Sequence, residues 1–400
     1  MTLTRKTQES LTERGFSRRQ ISRIALGAAA AFPFFNEFAQ AQQAELRAAR
    51  MGRRRAEGAS QTYDPDVVRI TSNENPMGPC KGGIEAMARV GPLGWRYNPQ
   101  GENLEFESLL ASTENVKLDY VNGYPGSSMP LANCVPAFTS PTRSWVMGSP
   151  GYGAGAGRFV GSKVIQVPLC KDYSHDVEAM IKADPNAGAY YICNPNNPTG
   201  TLTTRADFEY ILARKPKDAV LVIDEAYIHF AGPEHMSTDL VRQDKDVLVL
   251  RTFSKIYGMA GLRAGALYGR PDLLAKVADF GKGGHLPVTA TACAAASMKI
   301  AASLVKERQA INKRNRDLAC EHLEKLGVSY IPSTSNFFMM LVKGMSGAEV
   351  GRAMAAKKVL LASDRWPEWH NHIRVTVGTY DEMGKFNAAL DQVLQEGPKA

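Results

Sequence analysis

The 400-residue chain lacks most features that would mark a membrane, metal or nucleic-acid protein. The mildly apolar run Ile24 to Phe35 is too short to span a bilayer permanently, which takes about 20 residues. Six cysteines, at 80, 134, 170, 193, 293 and 320, contain no Cys-x-x-Cys pair, so free buried thiols are expected, with room for one surface disulfide. The seven histidines show no metal-ligand spacing, and His370 and His372, though close together, read as loop residues. Formal net charge is +8, but residues 1–41 hold six Lys/Arg against three Asp/Glu and leave only +5 for the rest. No Lys/Arg block is interleaved with aromatics, which argues against nucleic-acid binding. Neither an internal repeat nor a low-complexity tract is present. What remains, 44% apolar and 22% charged, is the composition of a soluble globular protein with a large core and more than one domain.

The stretch Asp246 to Arg263 organises the chain. Its apolar run Val247 to Leu250 is short enough for a buried strand and empties into Thr252, Ser254 and Lys255, then two glycines and Arg263. A polar cluster at the end of a buried strand is where α/β enzymes place their chemistry. A lysine there, partly desolvated and near a second cation, has its ammonium disfavoured, so its amine can attack an aldehyde. The hydroxyls and the arginine form a phosphate seat. Together they point to pyridoxal 5'-phosphate held by Lys255 as a Schiff base. Gly123 to Ser128 adds a glycine-rich turn before a helix, whose N–H groups can cradle the same phosphate, with Ser127 and Ser128 beside it. Asp224 ends the apolar run Ala219 to Ile223; a carboxylate there serves either as a helix N-cap or as partner to the ring nitrogen, keeping it protonated.

Ser-Lys-Ile-Tyr-Gly-Met-Ala-Gly-Leu-Arg at 254–263, Asn-Pro-Asn-Asn-Pro-Thr-Gly at 194–200 and Asp-Glu-Ala-Tyr at 224–227 resemble the fold-type-I pyridoxal-phosphate aminotransferases, the histidinol-phosphate aminotransferase group above all. The resemblance runs from about Val68 to the C-terminus. It implies the aspartate-aminotransferase-like α/β fold: a large domain with a mixed, mostly parallel seven-stranded sheet between helices, plus a smaller α+β domain. It also implies a homodimer in which Tyr97 reaches the neighbouring subunit's cofactor phosphate. Asn197 and Tyr227 are implied as donors to the cofactor's phenolic oxygen, Tyr152 as the aromatic stacked on its ring, and Arg374 as the bidentate partner of the substrate α-carboxylate, helped by Asn336. Asn73, in Asn-Glu-Asn-Pro at 73–76, belongs to a loop that covers the substrate. The implied reaction moves an amino group from an amino acid, or a histidinol-phosphate-like amine, to a 2-keto acid. A decarboxylase or β-lyase on the same scaffold, and a noncatalytic protein that retains the cofactor, share these contacts. Ser128 and Met129 stand where the group usually carries two acidic residues, Met77 where an aromatic is common, and Ala362 where a second arginine is usual. Those losses argue against a phosphorylated substrate.

Apolar runs alternating with helical periodicity from about 104 to 320 predict a parallel sheet with crossover helices. Expected strands are 163–168, 189–193, 219–223, 246–250 and 263–268, with 337–342 and 373–377 in the small domain. Val288 to Leu326 reads as one long helix linking the two. The expected division is residues 1–41 as a leader, 42–66 as a linker or arm, 67–100 as a segment joining the small domain and dimer interface, 101–325 as the large domain and 326–400 as the small one.

In the leader, Ser17-Arg18-Arg19-Gln20-Ile21-Ser22-Arg23 precedes the run Ile24 to Phe35 and then Ala39-Gln40-Ala41, the order of a twin-arginine export signal cleaved after Ala41. The twin-arginine translocase is then a partner during export and the periplasm the destination, and a folded enzyme can acquire its cofactor before crossing. Arg18→Lys with Arg19→Lys should trap the precursor in the cytoplasm. Fractionation that finds both forms equally distributed would end the export reading.

Overall fold

The computed structural model describes residues 5–18, 20–22, 64–153, 161–281, 285–366 and 368–397. Arg19, the run 24–35, the cleavage site and most of the linker 42–66 therefore lie outside the described residues.

β1 (Val68–Ile70) is the first strand among the described residues. Seven strands then build one sheet: β2 (Val121–Tyr124), β3 (Trp145–Ser149), β4 (Val164–Pro168), β5 (Ala189–Cys193), β6 (Val220–Asp224), β7 (Val247–Thr252) and β8 (Gly265–Gly269), in the order β2-β8-β7-β6-β5-β3-β4. β8 alone runs against its neighbours β2 and β7, and the pairs from β7 through β4 are parallel. The central strands β5, β6 and β7 are buried along their whole length, which is why their sequences are near-continuous apolar runs rather than alternating ones.

Alternation still sorts the side chains. Tyr190, Ile192, Leu221, Ile223, Val247 and Val249 enter one core layer, while Tyr191, Cys193, Val220, Val222, Leu248 and Leu250 enter the other. The neighbouring acids Asp224 and Glu225 continue this pattern. Glu225 takes the first face, where Arg251 Nε donates to its carboxylate at 2.6 Å and Arg251 Nη1 donates to Glu114 at 2.7 Å. Asp224 takes the second face, the face of Tyr191.

The small domain has its own core. β9 (Ser329–Ile331), β10 (Phe337–Leu341) and β12 (His372–Thr376) form an antiparallel sheet with β10 in the middle, and β1 pairs in parallel with β11 (Val359–Leu361). Within segment 67–100, β1 pairs with the small-domain strand β11, whereas Cys80 and Met87 pack in the core of the large sheet. A capping box, Thr379 with Glu382, starts the helix Tyr380–Glu396 that covers this core.

The expected strands are present with ends shifted by one or two residues; β1, β2, β3, β9 and β11 are not among them, since three of these are only three residues long, β2 holds a central glycine and β3 ends in Gly-Ser. The single helix expected over 288–326 is instead two, Val288–Met298 and Ala301–Lys325, meeting at 87°. The first is an alanine-rich wedge packed on Lys81–Val90, where the helices approach so closely that a Cβ on Gly83 would lie 2.7 Å from Cys293 Sγ. The second must leave that layer to bury Leu323 in the small-domain core, so the chain turns at Lys299 and Ile300. All six cysteines are free, five of them buried.

Residues ahead of the arginine pair also pack. The helix Arg5–Glu13 buries Leu11, and Phe16 follows it into the layer that holds Tyr124, Leu131 and Phe138. Arg14 Nη2 donates to the carbonyl of Pro136, at the end of the helix Ser128–Phe138.

The Arg251 cluster anchors the strand ends that present Asp224 and Lys255. Arg251→Met leaves two carboxylates without their cation and should cost about 3–5 kcal/mol of folding free energy. Chemical denaturation of the cofactor-free protein measures it, and a loss under about 1 kcal/mol would mean the carboxylates find other partners.

Candidate active site

Three strand ends and one loop converge at the carboxyl edge of the large sheet. Asp224 closes β6, and the chain after β7 carries Thr252, Ser254 and Lys255. Loop 72–78 from the small-domain side lies across them. It is clasped from below, since Asn75 Nδ2 donates to the carbonyl of Ile256 at 3.1 Å while Arg308 donates to the carbonyls of Ile256 and Gly78, each at 2.7 Å.

Asp224 is buried, and neutral donors meet both its oxygens: Tyr191 Oη donates to Oδ2 at 3.0 Å and the Ala226 N–H to Oδ1 at 3.1 Å. Burial raises its pKa to about 6, against the pull of those two bonds. Lys255 Nζ donates to the carbonyls of Asn73 at 2.9 Å and Ser72 at 3.2 Å, and lies 5.5 Å from the Tyr227 ring. Desolvation first, then the charge of Arg374, brings its amine down to about 7, while Glu74 opposes the shift. Tyr227 Oη accepts from Asn73 Nδ2 at 3.0 Å and from Asn197 Nδ2 at 3.4 Å.

The phosphate seat takes shape around Arg263. This residue sits at φ +65°, a left-handed backbone that a non-glycine residue adopts only when its surroundings compel it. Its Nη1 donates to Ser254 Oγ at 3.3 Å, and Ser254 Oγ accepts from Thr252 at 2.9 Å. Gly126, at φ +82°, is required opposite, because any Cβ there would collide with the Arg263 guanidinium. The helix Ser128–Phe138 starts at this point, and its N-cap Ser127 makes no side-chain capping bond. Tyr152 is hydrogen-bonded to Ser128, and burial raises its pKa.

Arg374, buried on β12, donates from Nη1 to Asn197 Oδ1 at 2.6 Å and from Nη2 to the carbonyl of Thr71 at 2.8 Å. Burial lowers its pKa to about 10. Asn336 donates to the carbonyls of Asn73 at 3.1 Å and Glu74 at 3.2 Å, so its amide holds the covering loop. Asn73, at φ +54°, is further tied to Thr376, which receives its N–H at 2.9 Å. One expected residue is not brought in by this chain: Tyr97 is 85% exposed and stacks on His285.

Tyr191 and Thr376 had gone unnoticed in the sequence. Tyr191 sits in an apolar strand, and only the register that pairs Cys193 with Asp224 reveals that its hydroxyl reaches the carboxylate.

These residues fit pyridoxal phosphate. A buried carboxylate met only by neutral donors suits a protonated ring nitrogen, two amide and phenol groups suit a phenolic oxygen, and the Arg263 cup suits a phosphate. Among the described residues no cluster of metal-binding side chains occurs.

Residues 65–390 match the family model described as aminotransferase class I and II. Histidinol-phosphate aminotransferase of Symbiobacterium thermophilum is 32% identical over 337 residues, covering 83% of this chain and 92% of that protein. The enzyme of the same name from Moorella thermoacetica is 30% identical over 335 residues, covering 82% and 86%. The crystal structure of histidinol-phosphate aminotransferase from Sinorhizobium meliloti, in complex with pyridoxal-5'-phosphate, aligns with a TM-score of 0.72 at 23% identity over 84% of this chain and 96% of that one.

Cofactor-free protein tests the Asp224 environment. Between the ordinary aspartate value and about 6, the folded carboxyl keeps a proton that the unfolded chain releases, so its contribution to stability falls as pH rises through that window. Asp224→Asn should remove this fall, leaving the apoprotein more stable than wild type at pH 7 while cofactor binding weakens. Denaturation at pH 4 and pH 7 reads it; identical pH dependence in both proteins would show that Asp224 titrates normally.

Proposed function

This chain belongs to the class I and II aminotransferases, and on that premise we propose how its own residues carry the reaction and which donors it takes. It is a pyridoxal-phosphate-dependent aminotransferase, moving an amino group between an amino acid and a 2-keto acid. The observation that carries the residue roles is Lys255, an amine brought down to about 7 at the end of β7, on the same sheet edge as the buried Asp224.

When bound, the cofactor supplies the electron sink for the pair released at the substrate Cα. Lys255 would hold its aldehyde carbon, and its amine, near 7 and so about half neutral at physiological pH, would serve as the base toward the substrate Cα proton. Asp224 keeps the ring nitrogen protonated, and Tyr191 keeps Asp224 ionised and aimed. Tyr227 and Asn197 donate to the phenolic oxygen. Thr252, Ser254, Arg263, Ser127 and Ser128 hold the phosphate with the helix N-terminus. Tyr152 covers the ring, and Arg374 takes the α-carboxylate in exchange for its present bonds to Asn197 and Thr71.

The donor we assign is an unphosphorylated amino acid. Ala362 stands directly opposite Arg374, joined to it by two backbone hydrogen bonds of 3.1 Å, so a methyl occupies the place of the usual second arginine. Met77 likewise brings no hydroxyl or ring to the covering loop. The relatives' name describes a phosphorylated amine, and this chain carries Met77 and Ala362 at two of the positions expected to grip that phosphate; a further cation near Arg374 is Arg365, whose charge lowers the Arg374 pKa.

Two further elements belong to the proposal. The active unit is a homodimer, supported by exposed Trp95 and Tyr97 on the segment expected to reach a second subunit. The mature enzyme works outside the cytoplasm, supported by the order of charge, apolar run and small residues in the leader. Cleavage after Ala41 would withdraw Leu11 and Phe16 from the layer they occupy.

Lys255→Ala should still bind the cofactor but no longer retain it covalently after borohydride reduction, and transamination should fall by at least ~10³-fold, consistent with loss of both a nucleophile and a general base. Wild-type turnover of histidinol phosphate should not exceed that of the best unphosphorylated amino acid. Full transamination by the alanine variant would refute the assignment of Lys255, and a strong preference for the phosphate would refute that of the donor.

A further inference from the structure

The segment between β11 and β12 carries two tryptophans that the reaction does not use. The Trp369 N–H donates to the Trp366 carbonyl at 2.9 Å, and the His372 N–H donates to the Trp369 carbonyl at 3.1 Å. Two successive three-residue turns of this kind bring positions 366, 369 and 372 to one side of the segment. Trp369 and His372 stack at 4.4 Å with rings 29° apart.

This row meets the large domain. Tyr173, on the loop after β4, packs edge-on against Trp369 at 5.5 Å and His372 at 6.3 Å. Its backbone is pinned at φ +67°, and Thr201 Oγ1 donates to its carbonyl at 2.8 Å. Thr201 directly follows the Asn194–Gly200 loop that supplies Asn197. The stack therefore braces the 363–372 segment against the loop that partners Arg374.

The other end of the row reaches the substrate carboxylate's partner. The Arg374 guanidinium lies over two rings, 5.6 Å from the centre of Phe337 and 5.7 Å from that of Trp366. Phe337 in turn packs edge-on against Tyr227 at 4.9 Å. A carboxylate bound at Arg374 thus has an indole beside it, and a side chain extending from the same Cα has an aromatic surface to lie on. Trp366 is half-buried, so part of its face is available.

We propose that Trp366 is a specificity-determining residue of this site and that the chain takes amino acids with a planar aromatic side chain, the stacked Tyr173, Trp369 and His372 bracing the backbone that carries the indole. The inference rests on the aminotransferase reading and narrows its donor. Stacking against a ring is sensitive to shape and flatness, and a pocket that loses such a wall discriminates less by a factor of about 10–100. Aspartate and glutamate gain no stacking from the indole, so any preference for them would have to come from Arg365, a further cation whose charge reaches Arg374.

Cofactor-loaded protein is mixed with phenylalanine, tyrosine, tryptophan, alanine, leucine, aspartate or glutamate, and conversion of the cofactor absorbance is followed. Aromatic donors should exceed alanine and the acidic pair by at least ~10-fold in kcat/KM, and the ratio of phenylalanine to alanine should fall about tenfold in Trp366→Ala and return in Trp366→Phe. A ratio measured within one protein does not depend on how much of a variant folds. Unreactive 3-phenylpropionate should likewise bind wild type more tightly than succinate, and lose that advantage in Trp366→Ala. Equal or greater use of alanine, aspartate or glutamate, or a ratio unmoved by the substitution, would overturn the aromatic wall while leaving the aminotransferase standing. No conversion with any donor would overturn both.

Discussion

A carboxylate buried without a cation is the constraint around which this molecule is arranged. Asp224 ends the central strand of a sheet covered on both faces, where an ionised side chain is poorly solvated. Tyr191 and the Ala226 N–H stabilise the charge only in part, so the carboxyl sits near 6. A ring nitrogen that carries a proton completes the site electrostatically. The same desolvation acts in the opposite sense on Lys255, whose cation it disfavours. One dry pocket therefore readies an acid for a cationic partner and an amine for an electrophile.

Around that pair the fold separates support from chemistry by strand alternation. Glu225 turns away from Asp224 and joins Arg251 and Glu114 in a buried ion cluster on the far face. The cluster steadies the ends of β6 and β7 without placing its charges among the reacting groups. Arg308 and Asn75 fasten loop 72–78 to the backbone just beyond Lys255. Asn73 on that loop links Tyr227 of the large domain with Thr376 of the small one. Arg374 makes a second link between the domains through Asn197. On the proposed role of Arg374, a substrate carboxylate would compete with that bond, which would couple its arrival to the junction of the two domains.

The proposed selectivity is placed at the same junction. With a methyl at 362, the rings of Phe337 and Trp366 lie beside Arg374, and Arg365 is a further cation within electrostatic reach. Tyr173 belongs to one domain and Trp369 and His372 to the other, so the aromatic row depends on both being in register.

Local sequence was sufficient wherever chemistry and period coincide within a few residues. Lys255 after a buried strand, the glycines and hydroxyls near Arg263, Asp224 closing an apolar run and the parallel core were all legible, because strand burial and phosphate recognition each demand residue types in short, ordered patterns. Tyr191 was hidden inside an apolar run, and its role depends on cross-strand register, a relation between residues 33 apart. The break at Lys299 was equally hidden, since no proline or glycine marks it and only the need to serve two cores turns the chain. Asn336 was read as a substrate contact, yet its amide is engaged with the covering loop, and the row from Trp366 to Tyr173 spans segments that no local pattern joins. Residue types along the chain show which groups are available for the proposed chemistry; packing sets which of them are desolvated, which face one another and which rings lie beside Arg374, because burial and register are properties of packed elements rather than of neighbours along the chain.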